Sequence, residues 1–318
     1  MNTPRCLVLG GTGFIGSHVT EHLLRSGLNV RIFGRCAPSA TILAAIKDAE
    51  VMVGDFQSGE HLAKAVKGCD YVCHLVSTTV PSSSNRDMVA DVSGNLTATL
   101  RLLEICAREN VRRVIFSSSG GTVYGNTGEY AIPESHRTEP LCSYGIAKLA
   151  IEKYLELFRI QHGLDYAILR ISNCYGPRLP IKGEQGVIGV FLYRLLQCEP
   201  IELWGDGAIT RDYVYVTDVA QAFRATLAQS SPFRLFNIGS GVGTSLKALI
   251  STMEQVTGSR ARVINRPARH IDVPTNVLDP KRAKEYLCWE ANTALEEGLT
   301  RTWKWMQPGV LASSSRTL

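Results

Sequence analysis

Through the first half of the chain, short apolar runs alternate with longer segments whose apolar positions recur every three to four residues. Arg5–Gly10 reads as a buried strand and Phe14–Arg25 as a helix. Asn29–Phe33 reads as a strand, Ile42–Lys47 as a weak helix and Val51–Val53 as a strand. Glu60–Val66 is helical, and Tyr71–Val76 is the fourth strand. Asn95–Arg108 carries Leu96, Leu100, Leu103 and Ala107 at helical spacing. Val111–Ser117 is a strand, Ser143–Phe158 a long helix, and Ala167–Ile171 closes the run. Strands alternating with helices are βαβ units, and these build a parallel sheet. Right-handed crossovers then predict a doubly wound α/β fold, with its ligand crevice at the carboxyl ends of the strands.

The pattern changes after Asn173. Gly176-Pro177, Pro180, Gly183, Gly186 and Gly205-Asp206-Gly207 punctuate shorter elements, as in a smaller lobe built from insertions. Asp212–Val216 and Leu235–Ile238 read as strands, and the first is expected to return to the main sheet. The expected organisation is a dinucleotide-binding domain over 1–172, with a returning segment near 212–240, and a C-terminal substrate lobe over 173–306. A polar, Ser-rich tail over 307–318 is expected to fray.

Composition narrows the class. The 318 residues are 45% hydrophobic and 20% charged, ordinary for a globular chain and unlike a disordered one. Net charge is +5, and no basic run has the density of a nucleic-acid arm. No apolar run approaches the ~18 residues needed to cross a bilayer. Met1–Arg5 leads straight into a strand, so no secretory signal is expected. The nine cysteines form no Cys-x-x-Cys pair, and Cys6, Cys73 and Cys106 fall within apolar elements. They read as reduced core residues of a cytoplasmic protein.

Gly10, Gly13 and Gly16 follow the first strand and open the first helix. Glycines there let backbone N–H groups approach a pyrophosphate, and the helix dipole favours the anion. Phe14 and Ile15 belong to the same turn. Such a turn expects an acid at the end of the second strand, to hold the ribose hydroxyls. Gly34 stands there instead, followed by Arg35. An arginine suits a 2′-phosphate, hence NADP; the competing reading has Arg35 stacking on adenine or facing water. Asp55, with Phe56 beside it, is placed either to contact adenine or to cap a helix. Leu75, Val76 and Ser77 at the fourth strand's end, and Asn95 at a helix start, complete the expected cofactor wall. His18 and His22 in His-x-x-Glu-His match a zinc-peptidase pattern, but no third ligand follows, and no metal site is expected.

Tyr144 and Lys148 lie four apart on a predicted helix, hence on one face. An ammonium beside a phenol favours the phenolate and lowers its pKa from about 10, which makes Tyr144 a candidate general acid/base. With the glycine turn upstream, the chain resembles the extended short-chain dehydrogenase/reductases, and among them the nucleotide-sugar epimerases and dehydratases of the UDP-galactose 4-epimerase type. The resemblance spans GGTGFIGSH (Gly10–His18), SSSGGTVYG (Ser117–Gly125), Tyr144–Lys148, RISNCYG (Arg170–Gly176), WGDGAITRDYVYVTDV (Trp204–Val219) and FNIGSG (Phe236–Gly241). It implies a Rossmann domain, bound NAD and a UDP-sugar substrate. It also implies that Lys148 binds the nicotinamide ribose and that Asn173 and Arg211 hold the diphosphate. Arg269 and Asp272 would close over phosphate and ribose. Asn276, where a bulky tyrosine would narrow the sugar pocket, leaves room for a 2-acetamido group.

One position departs from that pattern. The third catalytic residue, a Ser or Thr three before the Val of Val-Tyr-Gly, is Gly120. Thr122 is the favoured replacement and Ser119 the next. The favoured activity is UDP-hexose 4-epimerisation through a 4-keto sugar. The alternatives are an NADPH-dependent 4-ketoreductase and a non-catalytic dinucleotide sensor. Surface polysaccharide synthesis is a common setting for relatives. Many of them form homodimers through two helices, here Asn95–Arg108 and Ser143–Phe158.

Overall fold

The structure is a computed structural model, and it describes residues 3–180, 186–228, 231–268 and 273–307. Its strands, in chain order, are β1 (Arg5–Leu9), β2 (Asn29–Gly34), β3 (Glu50–Val53), β4 (Tyr71–His74), β5 (Arg113–Ser119), β6 (Asp165–Ile171), β7 (Asn173–Tyr175), β8 (Ile201–Trp204), β9 (Thr210–Tyr215), β10 (Leu235–Ile238), β11 (Gly243–Ser245), β12 (Val263–Arg266) and β13 (Thr275–Asn276). Seven of them form one parallel sheet in the order β10-β6-β5-β4-β1-β2-β3. This is the doubly wound α/β fold expected from the alternation.

The central strands are buried on both faces, which explains their unbroken apolar runs. Cys6 and Val8 of β1 enter one core layer, Leu7 and Leu9 the other, as the two-residue period of a strand requires. Winding reverses between β1 and β4, so the loops after these two strands part and leave a crevice.

Strand β9 does not return to the main sheet. It pairs with β7, β11 and β13 in a small second sheet, because Tyr213 and Tyr215 pack into a separate core with Phe191, Leu192 and Leu249. The returning strand is β10, in register with β6 from Leu235↔Ile168 to Ile238↔Ile171. The helix expected from Asn95 begins earlier, at Met88, where the Asp87 side chain accepts Ala90 N–H at 2.9 Å. It passes through a π-helical stretch, Val92–Thr97, into Ala98–Arg108. The helix expected from Glu60 starts at Leu62, after His61 turns through a positive φ of 60°. The helix that carries Tyr144 runs past its expected end at Phe158, spanning Ser143–His162. The terminal segment expected to fray lies, from residue 308, outside the described residues. Among the described residues no helix is long and apolar enough to cross a membrane.

His74 ends β4 inside the core. Its ring lies between Phe56 and Phe116, with centroids at 5.0 and 5.3 Å, and its Nε2 pairs with the Thr99 hydroxyl at 2.9 Å. Burial, helped by the Lys148 charge, pushes its pKa down to about 3. An unfolded histidine takes a proton near pH 6.5, so the unfolded chain binds more protons than the folded one below that pH. The His74 contribution to stability is complete above pH 6.5 and is lost as pH falls from there toward 3. Thermal unfolding followed from about pH 7 to 4 should show the midpoint falling, and His74→Gln should flatten part of that slope. A variant slope equal to wild type would contradict the assignment.

Candidate active site

The crevice is built first by the glycine turn. Gly10 adopts φ +81°, and its N–H donates to the Phe33 carbonyl at 2.9 Å, which bends the chain sharply off β1. A Cβ on Gly16 would lie 2.0 Å from the Gly10 carbonyl oxygen, so only glycine lets the helix start pack onto the turn. The helix Phe14–Arg25 then presents its N-terminus to the cleft without a side-chain cap or an acid in its first turn. An anion is the natural partner for such an end.

Opposite this turn lies the helix Ser143–His162. Lys148 is 5% exposed. Its ammonium donates to the Ser117 carbonyl at 2.8 Å and lies 4.7 Å from the Phe116 ring centroid and 5.4 Å from that of Tyr144. Burial lowers its pKa to about 8, against the opposing pull of Asp91 and Glu152. Tyr144 shifts contrary to expectation. Burial, followed by the nearby Cys142 and Asp91, raises its phenol above the usual value, and only a hydrogen bond with Ser119 pulls it down. Desolvation of the phenolate therefore sets the direction, although the ammonium is close.

The third hydroxyl is displaced for a packing reason. A Cβ on Gly120 would come within 2.5 Å of Leu278 Cδ1 and 3.1 Å of the Arg170 carbonyl oxygen. Leu278 belongs to a buried cluster with Val123, Tyr124 and Ile132, so a serine at position 120 would have to push a packed Leu278 methyl aside. Ser119 lines the cleft beside Tyr144 and is the side chain that draws the phenol's pKa down. Thr122 also lines the cleft, but its hydroxyl is buried without a hydrogen-bond partner.

The cleft is about 560 Å³, within the range of small-molecule sites. Gly10, Gly13, Phe14, Ile15, Gly16, Leu75, Ser77, Ser119, Thr122, Tyr144, Lys148 and Asn173 all line it. Other expected site residues lie elsewhere. Arg35 is exposed just beyond β2, and the Asp55 carboxylate accepts Gln57 N–H at 2.8 Å in a local turn. Phe56 is buried against His74. Val76 flanks Gly10, with its N 3.4 Å from where a Cβ there would sit. Asn95 sits behind the wall, where its Oδ1 accepts Thr78 N–H at 2.8 Å. Arg211 donates to the Thr210 carbonyl at 2.9 Å. Asn276 is 2% exposed, and its Nδ2 donates to the Gly120 carbonyl at 3.1 Å. Arg269 and Asp272 lie outside the described residues.

Three residues around the cleft escaped the sequence reading. Ser172 and Tyr213 line it with buried hydroxyls that have no hydrogen-bond partner. Buried polar atoms are rarely left unpaired, so these two hydroxyls, like that of Thr122, are open to a ligand. Asp91 lies beneath the wall, and its spacing four before Asn95 on one helical face was the available signal.

The pattern of the NAD dependent epimerase/dehydratase family matches residues 6–239. A solved UDP-glucose 4-epimerase from Thermotoga maritima, with UDP-glucose, is 36% identical, superposes with a TM-score of 0.89, and is matched over 95% of this chain and 98% of its own. One from Thermus thermophilus, in complex with NAD, is 32% identical with a TM-score of 0.86, over 94% and 98% of the two chains. A UDP-glucose 4-epimerase from Mycolicibacterium smegmatis is 32% identical over 305 residues, 94% of this chain and 97% of that protein. With the glycine turn, the Tyr144–Lys148 pair and the sheet order all in place, the chain belongs to the NAD dependent epimerase/dehydratase family.

Proposed function

We propose that this chain is a UDP-hexose 4-epimerase that works with bound NAD. The observation that carries the reading is the placement of Tyr144, Lys148 and Ser119 across one cleft from the glycine turn. NAD fits there by the chemistry of the residues: a bare helix N-terminus and a turn stripped of side chains at Gly10 and Gly16 can take a pyrophosphate. Gly10, Gly13, Phe14, Ile15 and Gly16 would hold the diphosphate, and Leu75 and Ser77 the middle of the molecule. Lys148 would hold the nicotinamide ribose. NAD is preferred to NADP because the T. thermophilus relative is a complex with NAD, and because Arg35 stands exposed rather than lining the cleft.

Bound NAD supplies a hydride acceptor and donor and, when oxidised, a positive charge. Tyr144 takes the proton of the sugar 4-hydroxyl and later returns it to the same oxygen. Ser119 steadies the phenol through its hydrogen bond. The Lys148 ammonium opposes the desolvation that holds Tyr144 protonated, and any added positive charge nearby acts in the same direction. Asn173, which lines the cleft, would orient the substrate diphosphate. Ser172 and Tyr213 offer hydroxyls to the sugar. A homodimer would pack the helices Ala98–Arg108 and Ser143–His162 against their copies, and Ile146 (57% exposed) and Ile160 (66%) on the second, with Val89 (76%) on Met88–Asp91, are exposed apolar side chains there.

Purified protein incubated with UDP-glucose or UDP-GlcNAc, and no added cofactor, should form the galacto isomer of each. Tyr144→Phe should retain bound dinucleotide and lose turnover by about 10²-fold or more. Turnover only of a 4-keto sugar with added NADPH would select the reductase instead. UDP-glucose turnover without UDP-GlcNAc turnover would show that the small residue at position 276 does not widen the substrate range.

Ser119→Ala should lower kcat by about tenfold or more with little change in KM, whereas Thr122→Ala should stay within a few-fold of wild type. The reverse order would return the role to Thr122.

Light scattering should report twice the chain mass, and Val89→Glu with Ile160→Glu should halve it. A wild-type monomer would exclude this interface.

A further inference from the structure

Asp91 is fully buried where the helix Met88–Asp91 passes into the π-helical stretch Val92–Thr97. Its Oδ1 accepts Asn95 Nδ2–H at 2.8 Å and the Thr79 hydroxyl; its Oδ2 accepts the Ser143 hydroxyl at 2.6 Å. The three donors belong to three different parts of the cleft wall. Thr79 is in the loop after β4 and lines the cleft. Asn95 also anchors that loop through Thr78 N–H. Ser143 begins the helix that carries Tyr144, and its N–H donates to Asn85 Oδ1 at 2.8 Å. Pi-helical turns interrupt a regular hydrogen-bond ladder and recur at functional sites. This one brings Asp91 and Asn95 under the loop and the helix together.

A carboxylate is a costly way to join three neutral donors. A buried charge loses its hydration, and amide or hydroxyl acceptors would serve as well. The charge is accounted for by its neighbours. Both Lys148 and Tyr144 feel it, and it favours the protonated form of each. Lys148 is also faced by Glu152 on its own helix, which is itself paired with Arg170. From β4 it is faced by His74, and from the preceding turn by Tyr144.

We infer that Asp91 is a positioning residue, which locks the loop after β4 and the start of the Tyr144 helix in one register and sets a carboxylate at the foot of the helix that carries Tyr144 and Lys148. Its catalytic consequence rests on the epimerase reading; its effect on Lys148 does not.

The decisive comparison is Asp91→Asn, which keeps an acceptor for Thr79 and Asn95 and removes the charge. Lysine labelled at Cε, with the Lys148 signal assigned through Lys148→Arg, reports its titration by NMR in the protein without substrate. The Lys148 midpoint should fall by about half a pH unit or more in Asp91→Asn. In the turnover assay, both limbs of the kcat/KM profile should move to lower pH by a similar amount, since the lost charge favoured the proton on Lys148 and on Tyr144 alike. Ser143→Ala, which cuts one arm and leaves the charge, should lower kcat several-fold while leaving both limbs in place. An unmoved Lys148 titration in Asp91→Asn, even with a lower melting temperature, would reduce Asp91 to a structural knot and overturn the inference. If Asp91→Asn does not fold, Ser143→Ala decides, and unchanged kcat there overturns the positioning role. Wild-type protein without epimerisation, alongside a shifted Lys148 titration, would fail the proposed function and leave the role of Asp91 toward Lys148 standing.

Discussion

The Lys148 ammonium lies between the faces of Phe116 and Tyr144, out of water, with the Ser117 carbonyl as its hydrogen-bond acceptor. An ion there loses several kcal/mol of hydration, and the drop of its pKa to about 8 is the visible remainder of that loss. The surrounding structure answers it in two ways. Aromatic faces give a partial return through their quadrupoles. Asp91 and Glu152 add negative charge. The cleft is thus arranged around keeping one cation close to one phenol. The phenol, left to burial alone, stays protonated.

That arrangement needs the helix Ser143–His162 held firmly against the sheet. One turn beyond Lys148, Glu152 makes a two-pronged pair with Arg170 of β6, at 2.6 and 3.1 Å, and accepts the Ser118 hydroxyl of β5 at 2.5 Å. Arg170 in turn lies 4.7 Å over the Tyr124 ring, whose hydroxyl reaches Asn237 of β10 at 2.7 Å. Breaking a buried pair of this kind by removing one partner typically costs about 3–5 kcal/mol. The chain of contacts runs from the Tyr144 helix across three strands. The strand that returns late in sequence therefore helps fix a residue pair placed much earlier.

Much of this was legible from the residue pattern. The alternating runs predicted the parallel sheet, because strands buried on both faces must be apolar throughout. The glycine spacing predicted the turn, because only the absence of a Cβ permits Gly16 to meet the Gly10 carbonyl. What the pattern missed depends on contacts distant in sequence. A side chain at Gly120 would meet Leu278, and nothing near residue 120 announces this. The placement of Thr210–Tyr215 in the small sheet follows from where its tyrosines find an apolar core, which strand propensity does not encode. The direction of the Tyr144 shift failed for a similar reason: spacing places a cation nearby, but only burial decides which effect wins.

The central claim, that a proton held by Tyr144 and a returning hydride act on the same sugar carbon and its oxygen, is tested most directly with UDP-glucose carrying deuterium at C4. After partial conversion in ordinary water, the account predicts UDP-galactose that keeps the deuterium at C4. Product that has exchanged it for solvent hydrogen, or that forms with the label at another carbon, would contradict it.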